Sequence, residues 1–372
     1  SLGSATITQV NNLQGALPTV ENVFLFIGKA GIADNDGQVL AITPQSDLDT
    51  LLGAVDSELK TCLNAAIDNS EDVNFYAYAL PLLDPATEWE AALDAVLQPP
   101  DDLNIEGVVL TTPMTTTQAI TDAHTAMVSA HTTYAKFLSC HCCVAGIDPG
   151  TQTWAQYRTA TKALIDGEVL NRMSVVPQLH GNNLGVVIGR LCNPGVTIAD
   201  SPMRVATGAL VGLGANPVDS ADVPLSLADL KDLADARFSV PQWHVAISGT
   251  YWGDHPVLDV EGGDFQVIEH RRVIDYLSRR VHILATLKIA DRALNDTQAS
   301  ISRHQTFFAR PLRDASHAIT IGTRIIPGLI QPPSSDDIEI QWTSQTEVSI
   351  AVSAQPYKCP KKITAYLALD LS

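Results

Sequence analysis

Short apolar runs alternate with longer amphipathic segments over the first half of the chain. The apolar runs predict strands at residues 23–27, 73–80, 107–110, 137–145 and 173–176. The segments between them predict helices at residues 47–69, 87–97, 116–133 and 154–166. Within the second of these, Trp89, Leu93 and Val96 recur at the three-to-four spacing of one helix face. Strands that alternate with helices in this way predict an α/β domain, a mostly parallel sheet covered on both faces.

The pattern changes after a Pro- and Gly-rich connection at residues 192–224, and residues 225–372 predict an α+β unit. This unit is expected to begin with a short helix capped by Ser226, a strand at 240–252 and a turn at Gly262 and Gly263. Helices at 269–294 and 300–310 follow. The unit is then expected to end with a hairpin of 338–342 with 348–352 and a last strand at 363–371. Residues 1–20 are polar with scattered aliphatic residues, so they predict an extended arm and no core of their own.

The predicted organisation therefore has four parts. Residues 1–20 form an N-terminal arm, 21–224 an acidic α/β domain, 225–360 an α+β domain with a long helix, and 361–372 a C-terminal strand arm. The fold class is multidomain, α/β followed by α+β. No apolar run approaches the roughly 18 residues that a membrane span needs, so neither a membrane anchor nor a signal peptide is expected.

Charge is distributed very unevenly along the chain. Residues 1–236 hold 9 Lys and Arg against 27 Asp and Glu, a balance of −18, whereas residues 237–372 hold 14 of each. Between Arg271 and Arg324 there are ten basic and four acidic residues, a local balance of +6. The overall acidity argues against nucleic acid as the main partner, and the basic region predicts a surface that faces an acidic one.

The basic region supplies the candidate contact residues. At 100° per residue, Arg280 and Asp291 fall near the apolar stripe of helix 269–294, so each needs a partner elsewhere. Arg272 and Arg279 line one edge of the stripe, while Arg271, taken alone, is expected to reach solvent. The seven arginines predicted to contact a partner are Arg271, Arg272, Arg279, Arg280, Arg303, Arg310 and Arg313.

Motifs for catalysis or cofactors are weak throughout the sequence. Cys140, His141, Cys142 and Cys143 lie on one predicted strand and would point to opposite faces, which favours core packing over a metal site. Gly28 to Gly31 lacks the Lys-Ser/Thr of a phosphate loop, and no Gly-x-Ser-x-Gly is present. The scattered cysteines are typical of reduced thiols in a cytosolic compartment. The sequence predicts no catalytic, metal or cofactor site.

At this point the sequence resembles the contractile tail sheath proteins of bacteriophages and their relatives in bacteriocins and type VI secretion. The resemblance covers about residues 225–372. Its motifs run from Ser239 to Trp243, Thr250 to Asp254, Asp264 to Glu269 and Arg272 to Asp275, then through the helix to Asn295 and the strands from Ile338 to Leu371.

The resemblance implies a subunit of stacked hexameric rings around an inner tail tube, in the virion tail, assembled in the host cytoplasm. It implies the subunit itself, the tube protein, the baseplate and the tail terminator as partners, and no nucleic acid, membrane or cofactor. It also implies arms that enter neighbouring sheets as strands; the arm residues here are Thr6, Ile7, Thr8, Val10, Ile363, Ala365, Tyr366, Leu367 and Leu369. Reversing Arg272 and Arg279 to Glu would then block assembly on the tube and leave the monomer folded.

Two other functions fit parts of the pattern. The alternating strands of residues 23–180 are also typical of a nucleotide- or cofactor-binding enzyme, although Gly28 to Gly31 falls short of the required loop. A phage structural component that does not polymerise, such as a baseplate or adhesion protein, is the third possibility.

Overall fold

A six-stranded sheet forms the centre of the first half of the molecule, in a computed structural model that describes residues 20–367. Its strands are β1 (Phe24–Gly28), β2 (Leu40–Ile42), β3 (Ala77–Pro81), β4 (Gly107–Leu110), β5 (Ser139–Val144) and β6 (Met173–Pro177). The strand order is β2-β3-β1-β4-β5-β6. Every neighbouring pair is parallel except β2 with β3. The predicted parallel sheet is confirmed.

Six helices cover the two faces of this sheet. They are α1 (Leu48–Leu52), α2 (Glu58–Ser70), α3 (Pro85–Val96), α4 (Thr117–Tyr134), α5 (Trp154–Ala163) and α6 (Asn183–Leu191). The alternation of β1 divides the core between the faces: Leu25 and Ile27 pack with α3, α4 and α5, while Phe24 and Phe26 pack with α1, α2 and α6. Helices α2 and α6 approach closely because Gly185 has no side chain; an added Cβ would lie 2.1 Å from the carbonyl oxygen of Cys62.

Residues 225–258 complete the core of the α/β unit instead of starting a separate one. They form α7 (Leu227–Asp235), which begins with a capping box at Ser226, and the hairpin of β7 (Pro241–His244) with β8 (Ile247–Trp252). Leu230, Phe238 and Leu258 belong to the same apolar cluster as β4 and β5. The predicted boundary between residues 224 and 225 therefore falls inside a shared core.

The last third of the described chain is an assembly of helices and two-stranded sheets. Its elements are α8 (Ile268–Thr286), α9 (Gln298–Phe308), α10 (Arg310–Ser316), β9 (Ile319–Ile321), β10 (Arg324–Ile326), β11 (Ile338–Trp342) and β12 (Val348–Val352). Two small apolar clusters hold it together, one around Val273, Leu277 and Leu312, the other around Phe308 and Ile340. The predicted hairpin of residues 338–342 with 348–352 is confirmed.

Several sequence predictions of local structure are wrong, and others concern residues outside 20–367. The helix expected at 47–69 is two helices, because Gly53 adopts a left-handed φ of 103°. The long helix ends at Thr286, not 294, since Lys288, Asp291 and Asn295 bond locally in turns. The strand expected at 240–252 is a hairpin. Residues 363–367 belong to no strand, and the arm residues Thr6, Ile7, Thr8, Val10 and Leu369 lie outside the described residues.

Candidate functional site: helix α8 and the two chain ends

A fully buried ion pair joins α8 to the large sheet. Arg272 and Glu106, which immediately precedes β4, are each 2% exposed. The Arg272 guanidinium donates from Nε to Glu106 Oε1 at 2.5 Å and from Nη2 to Glu106 Oε2 at 3.0 Å. Nη2 also donates to Asn22 Oδ1 at 2.7 Å, and the backbone N–H of Asn22 donates to Glu106 Oε2 at 2.5 Å. Burial alone would raise the pKa of Glu106, but the neighbouring Arg272 charge holds that pKa below its usual value.

Arg271 is also buried, contrary to the expectation that it reaches solvent. It pairs with Asp275 one turn further along α8 and lies 4.6 Å from the centre of the Phe265 ring. Asp275 has a second cationic neighbour in Arg172, at 3.5 Å, and Arg172 itself donates to the carbonyl oxygen of Leu138. Arg271, like Arg272 next to it on α8, therefore neutralises a carboxylate of the same subunit.

Arg279 and Arg280 hold the segment that leads into β1. Arg279 Nη2 lies 3.0 Å and Arg280 Nη1 3.3 Å from Glu21 Oε1. Arg279 donates a further hydrogen bond to the carbonyl oxygen of Phe137, and the Arg280 guanidinium lies 3.4 Å from the centre of the Tyr276 ring. Arg280 thus finds the partner that its position near the apolar stripe required, and Asp291 finds Lys288 at 2.7 Å.

The first turn of α8 holds the other end of the chain. Lys361 Nζ lies 2.7 Å from Asp254 Oδ1 and 2.8 Å from Glu269 Oε1. Burial alone would lower the pKa of Lys361, but the carboxylates of Glu269 and Asp254 raise it above its usual value. After Lys361 the chain is exposed: Ile363 is 80%, Tyr366 93% and Leu367 98% accessible.

The structure therefore divides the seven candidate arginines into two groups. Arg271 and Arg272 are buried with carboxylate partners of the same subunit, and Arg279 and Arg280 are partly buried with Glu21. Arg303, Arg310 and Arg313 are exposed on α9 and α10. Reversing Arg272 to Glu would place two carboxylates together in the core, so this change cannot separate assembly from folding as the sequence suggested.

A second buried polar network connects the hairpin β7–β8 to the sheet. His141 Nδ1 on β5 lies 2.8 Å from His255 Nε2, whose Nδ1 lies 2.6 Å from Ser239 Oγ. Trp252 Nε1 donates to the same hydroxyl oxygen. Burial lowers the pKa of His141 to about 3, and burial also takes the pKa of His255 well below its usual value. Both rings are therefore neutral at pH 7.

Other candidate chemistry of the sequence is placed by the same sheet. Cys140 and Cys142 face the cluster that includes α3 and α4, while Cys143 faces α2 and α6, so the cysteine run is divided between two cores. Within residues 20–367 no three His, Cys, Asp or Glu side chains converge as a metal ion would require. None of the helices described is both long and apolar enough to cross a membrane.

Sequence reasoning missed the ion-pair partners of α8 and of the C-terminal segment. Glu106 has a recognisable signal, since it is a lone carboxylate between Ile105 and a run of buried strand residues. Glu21, Asp254 and Lys361 have none, because 258 residues separate Glu21 from Arg279 and 107 separate Asp254 from Lys361.

Comparisons with known proteins identify the family. The DUF2586 N-terminal domain matches residues 2–256, and the DUF2586 C-terminal domain matches residues 264–372. A protein of Haemophilus phage HP1 (strain HP1c1), which bears the provisional name of tail sheath protein, is 38% identical over 377 residues, covering 99% of this chain and 98% of the relative. The chain belongs to the tail sheath family. It is a structural subunit of the sheath type and a component of a phage tail.

Solved sheath structures share the fold of this sheath subunit. The sheath of the PVC extracellular contractile injection system, in its contracted state, superposes with a TM-score of 0.65 at 12% identity and covers 100% of this chain and 98% of that one. The contracted helical sheath of the anti-feeding prophage gives a TM-score of 0.60 at 13% identity, covering 100% and 99%. At such low identity these likenesses concern the fold alone.

Replacing Glu106 by Gln is expected to destabilise the sheath subunit by about 3 to 5 kcal/mol, because it leaves the buried Arg272 charge without its carboxylate. Urea unfolding followed by circular dichroism measures the change. The control is Glu90→Gln on the exposed side of α3, expected to stay within about 0.5 kcal/mol. A Glu106 variant as stable as this control would show that the pair does not hold the fold.

Stability is also expected to fall as the pH drops from 7.5 to 5.5. The folded pKa values of His141 and His255 lie below the unfolded value of about 6.5, so the unfolded chain binds more protons and is favoured as the pH passes below that value. Urea unfolding across this range should show a shallower pH slope for His141→Gln than for the native chain. The exposed His317→Gln variant should keep the native slope, and equal slopes for all three would contradict this assignment.

Proposed function

We propose that this subunit polymerises as stacked hexameric rings around an inner tail tube and that contraction of the stack drives the tube into the host envelope. The subunit would do so without catalytic activity. The main support for the proposal is the exposed segment that follows Lys361. In the described chain this segment comes after two sheets of two strands each, β9 with β10 and β11 with β12.

The C-terminal segment has the properties of a strand that needs a partner sheet. Ile363, Ala365 and Leu367 would lie on one side of an extended chain and Tyr366 on the other, and all four are exposed. Large apolar side chains at 80–98% exposure leave unfavourable contacts with water that a neighbouring sheet would remove. Backbone pairing with a sheet edge would add hydrogen bonds that are independent of the side chains.

The hairpin of β11 and β12 is a suitable acceptor of such strands. Among residues 20–367 its sheet contains only these two strands, and an isolated two-stranded sheet is marginally stable. Its inner face is fixed by Ile338 and Ile340, which pack with Phe308 of α9. Within the described residues no third strand pairs with β12, and the N–H and C=O groups of its alternate residues point to that outer edge, which is a template for an incoming strand. We infer that Ile363, Ala365, Tyr366, Leu367 and Leu369, and at the other end Thr6, Ile7, Thr8 and Val10, pair in this way with neighbouring subunits.

The exposed arginines of α9 and α10 are the proposed contacts with the tube. The arginines of α8 already have carboxylate partners inside the subunit, so we place the tube contact on Arg303, Arg310 and Arg313, whose side chains are exposed on α9 and α10. Charge on a surface directs association with an oppositely charged partner. The baseplate and the tail terminator would contact the two ends of the stack, which would assemble in the host cytoplasm.

Deleting residues 1–14 is expected to leave a folded subunit that no longer forms tubes, since the deletion would remove strands given to other subunits and little core. Deleting residues 363–372 should act in the same way. Negative-stain microscopy and sedimentation measure assembly, and circular dichroism measures folding. Tubes of normal length from either truncated chain would rule out strand donation by that arm.

Reversing Arg303 and Arg313 together to Glu is expected to reduce binding to purified tail tubes by at least tenfold, because like charges would then face each other. Co-sedimentation with tubes measures binding, and sheath formation without tubes is scored in parallel. The control is Lys231→Glu, a charge reversal at an exposed lysine of α7. Loss of sheath formation without tubes would assign these arginines to a neighbouring subunit, and normal tube binding would remove them from the interface.

A further inference from the structure

Both chain ends meet the folded body at ion pairs on the same helix. On the N-terminal side Glu21 lies against Arg279 and Arg280, three residues before β1 begins at Phe24. On the C-terminal side Lys361 lies against Glu269 and the nearby Asp254. Helix α8 contributes Glu269 from its first turn and the two arginines from its second half.

Among the described residues after Pro356, Lys361 makes the hydrogen bonds and ion pairs that hold the C-terminal segment to the body. From Tyr357 to Leu367 every residue is exposed except Lys361. The last backbone pairing of this segment within the described residues joins Gln331 N to Gln355 O at 2.8 Å, close to the bridge between Ile330 and Pro356. Beyond that point the Lys361 ammonium attaches the segment to the body through Asp254 and Glu269. The direction in which the chain leaves the body is therefore set at Lys361.

The helix fixes the distance between the two attachments. Glu269 and Arg280 are eleven residues apart, which corresponds to about 16 Å along the axis and a rotation of only about 20°. The two attachments therefore lie near one face of α8. The helix itself is held to the sheet by the buried Arg272–Glu106 pair between them. Because an α-helix is rigid, it keeps the two attachment points at a constant distance from each other.

Neither attachment is fully paired within the subunit. Glu21 Oε2, Glu269 Oε2 and Arg279 Nε are buried without a hydrogen-bond partner in the described part of the chain. By contrast, both carboxylate oxygens of Glu106 accept hydrogen bonds. Incomplete pairing makes the two end attachments easier to release than the central pair.

We propose that α8 is the common anchor of both arms, with Glu21 held by Arg279 and Arg280, and Lys361 held by Asp254 and Glu269, so that the arms reach neighbouring subunits from two fixed points. This inference rests on the proposed function, because the role of the arms in assembly is part of that proposal. Glu21 and Lys361 act as positioning residues: they set where an arm starts, and the strand pairing itself is made further along the arm. Loosening an anchor lowers the effective concentration of the arm at its acceptor sheet.

The test compares Lys361→Met with Lys362→Met in the full chain. Lys362 is the adjacent exposed lysine and has no ion pair among the described residues. The concentration of free subunit left after assembly should rise about tenfold for Lys361→Met and stay unchanged for Lys362→Met. Nanosecond backbone mobility of residues 362–367 in the monomer, measured by NMR relaxation, should increase only for Lys361→Met, and Lys361→Arg should restore native assembly.

A second variant keeps the inference testable if Lys361→Met fails to fold. Glu21→Gln keeps the shape of the side chain and removes its charge, and it should also raise the free-subunit concentration, with Glu347→Gln on an exposed turn as control. Equal free-subunit concentrations for Lys361→Met, Lys362→Met and the native chain would overturn the anchor at the C-terminal end. Native assembly of Glu21→Gln would overturn it at the N-terminal end. Failure of the native chain to assemble would count against the proposed function instead.

Discussion

The buried pair of Arg272 and Glu106 is the interaction on which the arrangement of this subunit depends. It brings together the start of β4, the turn at Asn22 that leads into β1, and the second turn of α8. A charge this deeply buried is tolerated only when its partner and its remaining hydrogen bonds are in place, so the pair permits one placement of α8 against the sheet. The α/β unit and the C-terminal helices are thereby fixed to each other by a polar contact, which acts beside the apolar contacts of Ile268 of α8 with the core of the sheet.

This arrangement changes the meaning of the uneven charge along the chain. A run of arginines in an acidic protein has two physical outcomes, an exposed patch for a partner or internal neutralisation of carboxylates. In α8 the second outcome dominates, since Arg271, Arg272, Arg279 and Arg280 all pair with acidic residues of the same subunit. Arg303, Arg310 and Arg313, which are exposed on α9 and α10, are the arginines proposed to contact other chains. Net charge by region cannot distinguish these outcomes, because it contains no information about distance.

Much of the fold could be predicted because periodicity is a local signal. Parallel strands such as Gly107–Leu110 and the hairpin of β11 with β12 have unbroken apolar or alternating patterns, and each matches its prediction closely. Predictions failed where a local backbone feature or a distant contact decides the structure. Gly53 divides one expected helix, and Glu21 meets α8 only through the tertiary fold. Periodicity therefore located the arginines on α8, but it could not show that Arg271 and Arg272 pair with Asp275 and Glu106 inside the subunit.

The way the large sheet ends has a consequence for the specificity of assembly. Its β6 edge is closed by the chain itself: Ser239 N donates to Val175 O, and Leu258 N donates to Met173 O. The opposite edge strand, β2, has only three residues. Under the proposed strand exchange a subunit could accept a strand at the wrong sheet, and open sheet edges are where unwanted aggregation begins. Because its β6 edge is covered and β2 is short, the largest sheet described within residues 20–367 offers little edge for unwanted pairing, which would keep free subunits from disordered association while leaving the short hairpins for the proposed strand exchange.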